Sequence, residues 1–348
     1  MPTGALSDSW FDNEHPALRK CWHPVAWSAE LGDGQIHPVE LLGERWCIAR
    51  LGDRVAALRD ECPHRLAPLS AGTVVEGTVQ CGYHGYRFDA DGRCVEIPAA
   101  DPSLPIPRNA ACQSAARVAE HLGIIWMALE EPIVPLPEVP EHHDPAFVRC
   151  PLPAMDWKAS AAQMADNFLD QGHFAFLHLE TFADPDDKIV GDYEVVRDDW
   201  KYSVSYWHLT KALADSYEPG EDFRSNQRES YFVFTPPHHV YLRINYPAEN
   251  SILTISFCHQ PVNATTTRLF CTDYRNDIPD TEEMRAETAK FQLAVALEDR
   301  AMLERTWRKG VPLDVTAELH TKADRITLEM RRVLGELVLA ATDEHGAR

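Results

Sequence analysis

Two short stretches of this chain carry residues whose types and spacing suit metal binding. In CPHRLAPLSAGTVVEGTVQCGYHG, Cys62, His64, Cys81 and His84 form the pattern C-x-H-x16-C-x2-H. Each short pair joins one thiol to one imidazole across a tight turn. Two thiolates can then take one iron of a binuclear centre and two imidazoles the other, which leaves the centre less negative and raises its reduction potential. A tetrahedral zinc site uses the same ligand types, but zinc modules typically keep their cysteines in one short pair and their histidines in another. Here every pair is mixed. Gly82, Tyr83, Gly85 and Tyr86 suit a tight turn with hydrogen-bond donors near sulfur, and Pro63 and Pro68 stiffen the first loop.

The second stretch, NFLDQGHFAFLH, holds Asn167, Asp170, His173 and His178 as N-x2-D-x2-H-x4-H. On a helix the first three share a face. His178 does not follow, because five residues turn an ideal helix by ~500°, roughly 140° off the face of His173. Both imidazoles reach one metal only where the helix bends or widens, and Gly172 marks where that loosening begins. Two histidines and a distant carboxylate make a facial triad that leaves iron(II) with open positions. Taken alone, two such histidines are ordinary helix residues, and the first stretch is what tips the balance. The carboxylate is sought in FQLAVALEDRAMLE, where Glu298 and Asp299 lie on a helix expected over 281–307 with Met284, Phe291, Val295 and Met302 inward. Position on the helical wheel does not choose between the two acids.

The first stretch resembles a Rieske [2Fe–2S] motif. Together the two resemble the catalytic α subunits of the Rieske non-haem iron oxygenases, over nearly the whole chain from CWHPVAW at Cys21 to the helix ending near Arg305. The chain looks most like the branch that includes the vanillate and dicamba O-demethylases and the caffeine N-demethylases, in which an Asn stands three residues before the Asp, as Asn167 stands before Asp170. The resemblance implies a Rieske cluster on Cys62, His64, Cys81 and His84, and a mononuclear non-haem Fe(II) on His173, His178 and Asp299. Asp170, with Asn167 beside it, becomes the catalytic carboxylate that bridges a cluster histidine to an iron-bound one. The resemblance further implies a head-to-tail homotrimer in which electrons cross between subunits. It implies electrons from a separate NAD(P)H-dependent flavin and iron–sulfur reductase, directly or through a ferredoxin. The chain has no G-x-G-x-x-G fingerprint for a nicotinamide of its own.

The reaction expected is monooxygenation, as hydroxylation or O- or N-demethylation, of a small aromatic substrate with O2. One alternative is the α subunit of a cis-dihydroxylating dioxygenase. Another is a Rieske electron carrier without oxygenase activity, though a carrier has no use for the full set Asp170, His173, His178 and Asp299. Phe168, Asn245, Phe257 and His259 are the candidate pocket residues. Trp207 and Tyr246 are more ambiguous, and a lone strand histidine such as His259 is more often structural.

At 348 residues and 45% hydrophobic content the chain can bury two cores. Seven prolines from Pro132 to Pro153 exclude a regular helix or central strand there. This divides the chain into a Rieske domain (15–131), a linker (132–153), a catalytic domain (154–340) and a frayed tail (341–348). Short β-rich runs such as RWCIARL and GIIWMAL alternate with turns such as Asp91-Gly92 before the linker. After it come the iron-binding helix, strand-like runs from YEVVRDDWKYSVSYWHL to TTTRLFCTDYR, and the long helix. The expected fold class is α+β: an all-β Rieske domain, then a helix-grip domain whose antiparallel sheet wraps around helices. A net charge of −21 argues against a nucleic-acid partner. The chain has no apolar run of ~20 residues and no signal-peptide profile, so no membrane partner and a cytoplasmic address are expected. Apart from Cys62 and Cys81, the nine cysteines form no even framework and read as buried free thiols.

Overall fold

The computed structural model describes residues 10–209 and 227–343. Contacts divide it into two units: Leu18–Ile133, and the residues through Ala17 joined to those from Val134 onward.

The first unit is all β. His23–Trp27 pairs with Ile124–Ala128, which pairs with Arg117–His121. Ile36–Leu41, Glu44–Leu51 and Arg54–Arg59 make an antiparallel meander. The run RWCIARL reads as nearly continuous apolar sequence because its strand is buried on both faces. Trp46 and Ile48 enter one core with Ile125 and Met127, while Cys47 and Ala49 enter another with Leu58, Val79 and Phe88. A third sheet runs Thr73–Val75, Thr78–Gln80, Arg87–Phe88, Cys94–Glu96. Its first hairpin turns at Glu76 and Gly77, both with positive φ (47° and 70°), as a two-residue turn of the right twist requires.

The second unit is built on an eight-stranded antiparallel sheet. Val195–Asp198, Lys201–Leu209, Gln227–Thr235, His239–Tyr246, Ser251–Asn263 and Thr266–Arg275 pair each with the next. Val148–Pro151 closes the edge against Thr266–Arg275, and Met155–Trp157 pairs with the same strand. The proline-rich stretch thus contributes an edge strand, where a missing N–H is tolerated, rather than serving as connection throughout. Trp10–Phe11 pairs with Val311–Pro312, a contact too distant in sequence for any local pattern to announce.

Helix α1, Ala161–Leu169, lies on the strands His239–Tyr246 and Ser251–Asn263. Its start is fixed by a capping box between Ser160 and Gln163. The fully buried Asn13 adds a second hold, accepting from Ala161 N (2.8 Å) and donating to Thr267 Oγ1 (3.0 Å). Such caps satisfy the orphan N–H groups of a first turn. After the four-residue α2, Phe174–Leu177, come α3, Glu282–Leu303, and α4, Arg325–Asp343.

Three expectations about the helices are corrected. The inward face of α3 is only partly Met284, Phe291, Val295 and Met302: Phe291 and Val295 line the cavity described below, Met302 is 50% exposed, and the buried residues are Thr288, Gln292, Ala296, Asp299 and Leu303. That face fronts a polar site, so hydrophobicity reports it only in part. Helix α4 was not expected, although Ile326, Met330, Val333, Leu334, Leu337 and Ala341 recur at helical spacing and are all buried. It runs through Asp343, so the tail begins later than residue 341, and 344–348 lie outside the described residues. The third correction concerns α1 and belongs with the site.

Candidate metal centres and pocket

In the first unit the two cysteine–histidine loops share one backbone design. Cys62 N donates to Ala67 O (2.8 Å) and Leu66 N to Cys62 O (2.8 Å); Cys81 N donates to Tyr86 O (2.8 Å) and Gly85 N to Cys81 O (3.0 Å). The fifth residue of each loop, Leu66 or Gly85, has positive φ (57° and 73°). Each loop therefore folds back on itself and presents its thiol and imidazole on one side. Gly82 is required for another reason: a Cβ there would lie 2.9 Å from Ala71 O. Cys62 and Cys81 are buried (1% and 2% exposed) beside each other. The rings of His64 and His84 stand 4.5 Å apart, His64 stacked on Tyr86 and His84 against Tyr83.

These four residues fit a binuclear cluster. Burial, with Cys81 adding to it, pushes the Cys62 thiol up to about 11, so a thiolate pair there needs a cationic metal beside it. Nδ1 of His64 is buried without a hydrogen-bond partner, a lone pair that coordination would satisfy.

In the second unit α1 ends at Leu169, and Asp170 is its C-cap in extended conformation (φ −73°, ψ 143°). Asn167, Asp170 and His173 therefore do not share a helix face, and no single helix bends at Gly172 to reach His178. The helix stops instead. The Asp170 carboxylate rebuilds the chain beyond it, accepting from Gly172 N (3.2 Å) and His173 N (2.9 Å) and bonding His173 Nδ1 at 2.7 Å. His173 and His178 then bracket α2 as its N-cap and C-cap, which aims both rings at one point.

The ligating atoms of His173, His178 and Asp299 all lie within 4.8 Å of one another. Asp299 Oδ1 is 3.2 Å from His178 Nε2 and 3.5 Å from His173 Nε2, and the two Nε2 atoms are 3.1 Å apart. Asn167 Nδ2 donates to the same Asp299 oxygen at 2.9 Å. Between the two acids left open by the sequence, Asp299 points to the imidazoles' metal-facing nitrogens, and Glu298 Oε2 takes His178 Nδ1 from behind (2.8 Å) together with the Thr181 hydroxyl (2.7 Å). Each imidazole thus has a carboxylate on Nδ1 and its Nε2 directed at the common point, the arrangement that fixes tautomer and ring orientation in metal sites. Glu298 is a functional residue the sequence did not assign. Burial works against charge here, but Asp170 and Asp299 outweigh it and raise His173 to about 9. Burial likewise opposes ionisation of Asp299, and the two histidines outweigh it, holding the carboxyl down at about 2. Two imidazole Nε2 atoms and a carboxylate oxygen converging on one point suit a divalent cation, and these residues fit a mononuclear iron.

A cavity opens directly onto this triad. Phe168, Phe257, Leu242, Ile244 and Ile255 form its apolar wall, and Arg228, Ser230, Tyr246 and Gln292 supply polar groups. Phe168 and Phe257, both expected, stack face to face at 4.1 Å. Asn245 is corrected: Ile244 and Tyr246 line the cavity, and the two-residue period of a strand turns Asn245 to the other face. His259 is corrected as well, being fully buried behind Phe168, whose ring it stacks on at 5.5 Å, with Nδ1 bonded to His238 O. Trp207 is 52% exposed and off the cavity, whereas Tyr246 lines it. Arg228 and Ser230 were missed; alternate positions on one strand were the available signal.

A model of the Rieske [2Fe–2S] domain matches residues 21–116, and one of the C-terminal domain of vanillate O-demethylase oxygenases matches 157–340. The chain belongs to the Rieske non-haem iron oxygenases. This oxygenase is 30% identical over 341 residues to methylxanthine N1-demethylase NdmA of Pseudomonas putida, covering 95% of this chain and 92% of that one. It is 27% identical to the vanillate O-demethylase oxygenase subunit of a Pseudomonas species, over 86% and 96%. The structure of NdmA with caffeine superposes with a TM-score of 0.83 at 29% identity, over 95% of this chain and 94% of that one. Like its family, the oxygenase carries a [2Fe–2S] cluster and a mononuclear non-haem iron, accepts electrons from a reductase, and acts on a small molecule with O2. Among the described residues no helix is long and apolar enough to cross a membrane.

Proposed function

We propose that this chain is the oxygenase component of a demethylating monooxygenase that acts on an O- or N-methyl group of a small aromatic compound. The observation that carries the reading is the apolar cavity opening onto the triad of His173, His178 and Asp299. In this reading those three residues hold the iron, and Cys62, His64, Cys81 and His84 hold the cluster. The cluster supplies electrons singly, and the iron supplies the centre where oxygen is reduced.

The chain's own residues do the rest. The stacked pair of Phe168 and Phe257 forms an aromatic wall that packs against a planar ring and excludes water from it. Asp170 and Glu298 fix the two imidazoles in the Nδ1–H form, so each Nε2 keeps its lone pair for metal. Asn167 holds the Asp299 oxygen that faces the two imidazoles. The Asp170 side chain, though bonded to His173, remains 27% exposed, which suits a second partner. We take that partner to be a cluster histidine of a neighbouring subunit in a head-to-tail homotrimer, and the setting to be the cytoplasm.

Isotope labelling tests the reaction. Under labelled oxygen, with a surrogate reductase and a panel of methoxy- and N-methyl-aromatics, the demethylated product should appear with one equivalent of formaldehyde. Two labelled atoms in one ring product without formaldehyde would assign cis-dihydroxylation instead.

A further inference from the structure

Arg228 is 4% exposed and lines the cavity. Burying a guanidinium is costly unless an anion or full hydrogen bonding compensates it. Its Nε donates to His208 Nε2 at 3.0 Å and one terminal nitrogen to the Tyr246 hydroxyl at 3.3 Å. Its carbon stands 5.3 Å from the ring centre of Phe182. All these partners are neutral: burial first, and the Arg228 charge second, push His208 down to about 2. Among the described residues no carboxylate lies within 4.0 Å of the guanidinium, and the other terminal nitrogen makes no hydrogen bond. Asp187 senses the charge, which offsets part of the burial that raises its carboxyl, but forms no ion pair with it.

The fold holds this cation in place. His208 and Arg228 are direct cross-strand neighbours, and Ser230, two residues on, bonds the same His208 nitrogen at 2.9 Å. Arg228 is thus oriented through Nε by a neutral acceptor, with donors left over in a mostly apolar cavity in which Ser230, Tyr246 and Gln292 are uncharged. Paired donors in a planar fork match a carboxylate.

We propose that Arg228 is the specificity-determining residue of this pocket and that the substrate is an aromatic acid, its carboxylate seated on the guanidinium and its methyl-bearing end toward His173, His178 and Asp299. This rests on the oxygenase reading above and adds the substrate's charge to it.

The test is equilibrium binding to the iron- and cluster-loaded enzyme, measured by calorimetry. The probes are matched pairs of methoxyarene carboxylates and their carboxamides, of one to three rings. In at least one pair the acid should bind about 10- to 100-fold tighter than the amide. Arg228→Gln should erase that preference, and Arg228→Lys, which keeps the charge and loses the fork, should retain part of it. Amides that bind as well as acids in every pair, or a preference that survives in Arg228→Gln, overturns the proposal. Turnover of the same pairs separates the two readings. Acids that bind preferentially but are never oxygenated sink the demethylase reading alone, whereas amides and acids oxygenated equally well sink the role of Arg228 alone.

Discussion

Replacing Glu298 by alanine strips His178 Nδ1 of the one acceptor it has among the described residues, and at 2% exposure the ring is poorly reached by bulk water. A hydrogen bond to an ionised carboxylate contributes about 1.5–3 kcal/mol, and leaving a buried donor unpaired costs about as much. Taking about 2 kcal/mol, the imidazole is less firmly held and less basic by an amount that weakens iron(II) binding about 30-fold. This lies within the range of about 10- to 100-fold seen when groups behind metal ligands are removed. Glu298→Gln keeps an accepting oxygen and loses the charge, so about 5-fold is expected. Thr181→Val leaves the 2.8 Å bond to His178 intact and should cost less than either. The assay is anaerobic competition for iron(II) between a chromogenic chelator and protein whose mononuclear site has been emptied, with the visible cluster spectrum reporting that the fold is intact. An alanine variant that binds iron(II) within twofold of wild type would refute the reasoning and return Glu298 to an ordinary polar helix edge.

Other substitutions address the remaining parts. Cys62→Ser or His84→Ala should bleach the visible Rieske spectrum while iron still binds the second unit; a retained spectrum would show that another residue completes the cluster. Asp170→Asn should keep both metals yet slow cluster reoxidation at least about tenfold, because an amide lacks the charge and one of the two accepting oxygens; rapid mixing of reduced enzyme with substrate and oxygen measures it, and a normal rate makes Asp170 only a turn residue. Acid should destabilise the fold through histidines buried neutral. Burial lowers His23 and His259 from 6.5 to about 4, so the unfolded chain takes up their protons first, and stability that is full above pH 6.5 is lost as pH falls toward 4. Between pH 7 and 5 each costs about 2 kcal/mol, and denaturant melts of His259→Gln should show a shallower acid limb than wild type; an unchanged limb would refute the assignment.

Both metal motifs and the sheet-then-helix order were legible because ligand spacing and strand alternation are local properties. The pocket was less legible: of the four candidates only Phe168 and Phe257 line it. The break at Asp170 was not legible. Nothing in NFLDQGHFAFLH forbids a continuous helix, and the stop depends on a carboxylate that caps Gly172 and His173 better than a further helical turn would. The inner face of α3 was read only in part, because most of its buried residues are polar or small and face imidazoles and the cavity, where apolar content is a poor guide. Glu298 could be found only once His178 had a direction. Arg228 was missed for a similar reason: its alternation with Ser230 marks a shared face, but a charge in a strand reads as solvent-facing until the sheet shows which face is enclosed.

His64 of the first cluster loop and Cys81 of the second are separated by sixteen residues, and the tight hairpin Thr73–Gln80 fills half of that span. Its tip, Glu76–Gly77, points two residues of positive φ away from the paired strands. The spacer length is therefore a property of a replaceable hairpin and not of the iron chemistry. Residues inserted at the tip only lengthen the connection, at small entropic cost. A single residue inserted inside either strand reverses which side chains face the core, and would pull Cys81 out of line with Cys62. Searches for distant relatives should accordingly hold the two six-residue loops fixed and let the interval between them float. The same tip is the place in this domain to graft a peptide tag or a reporter without disturbing the cluster.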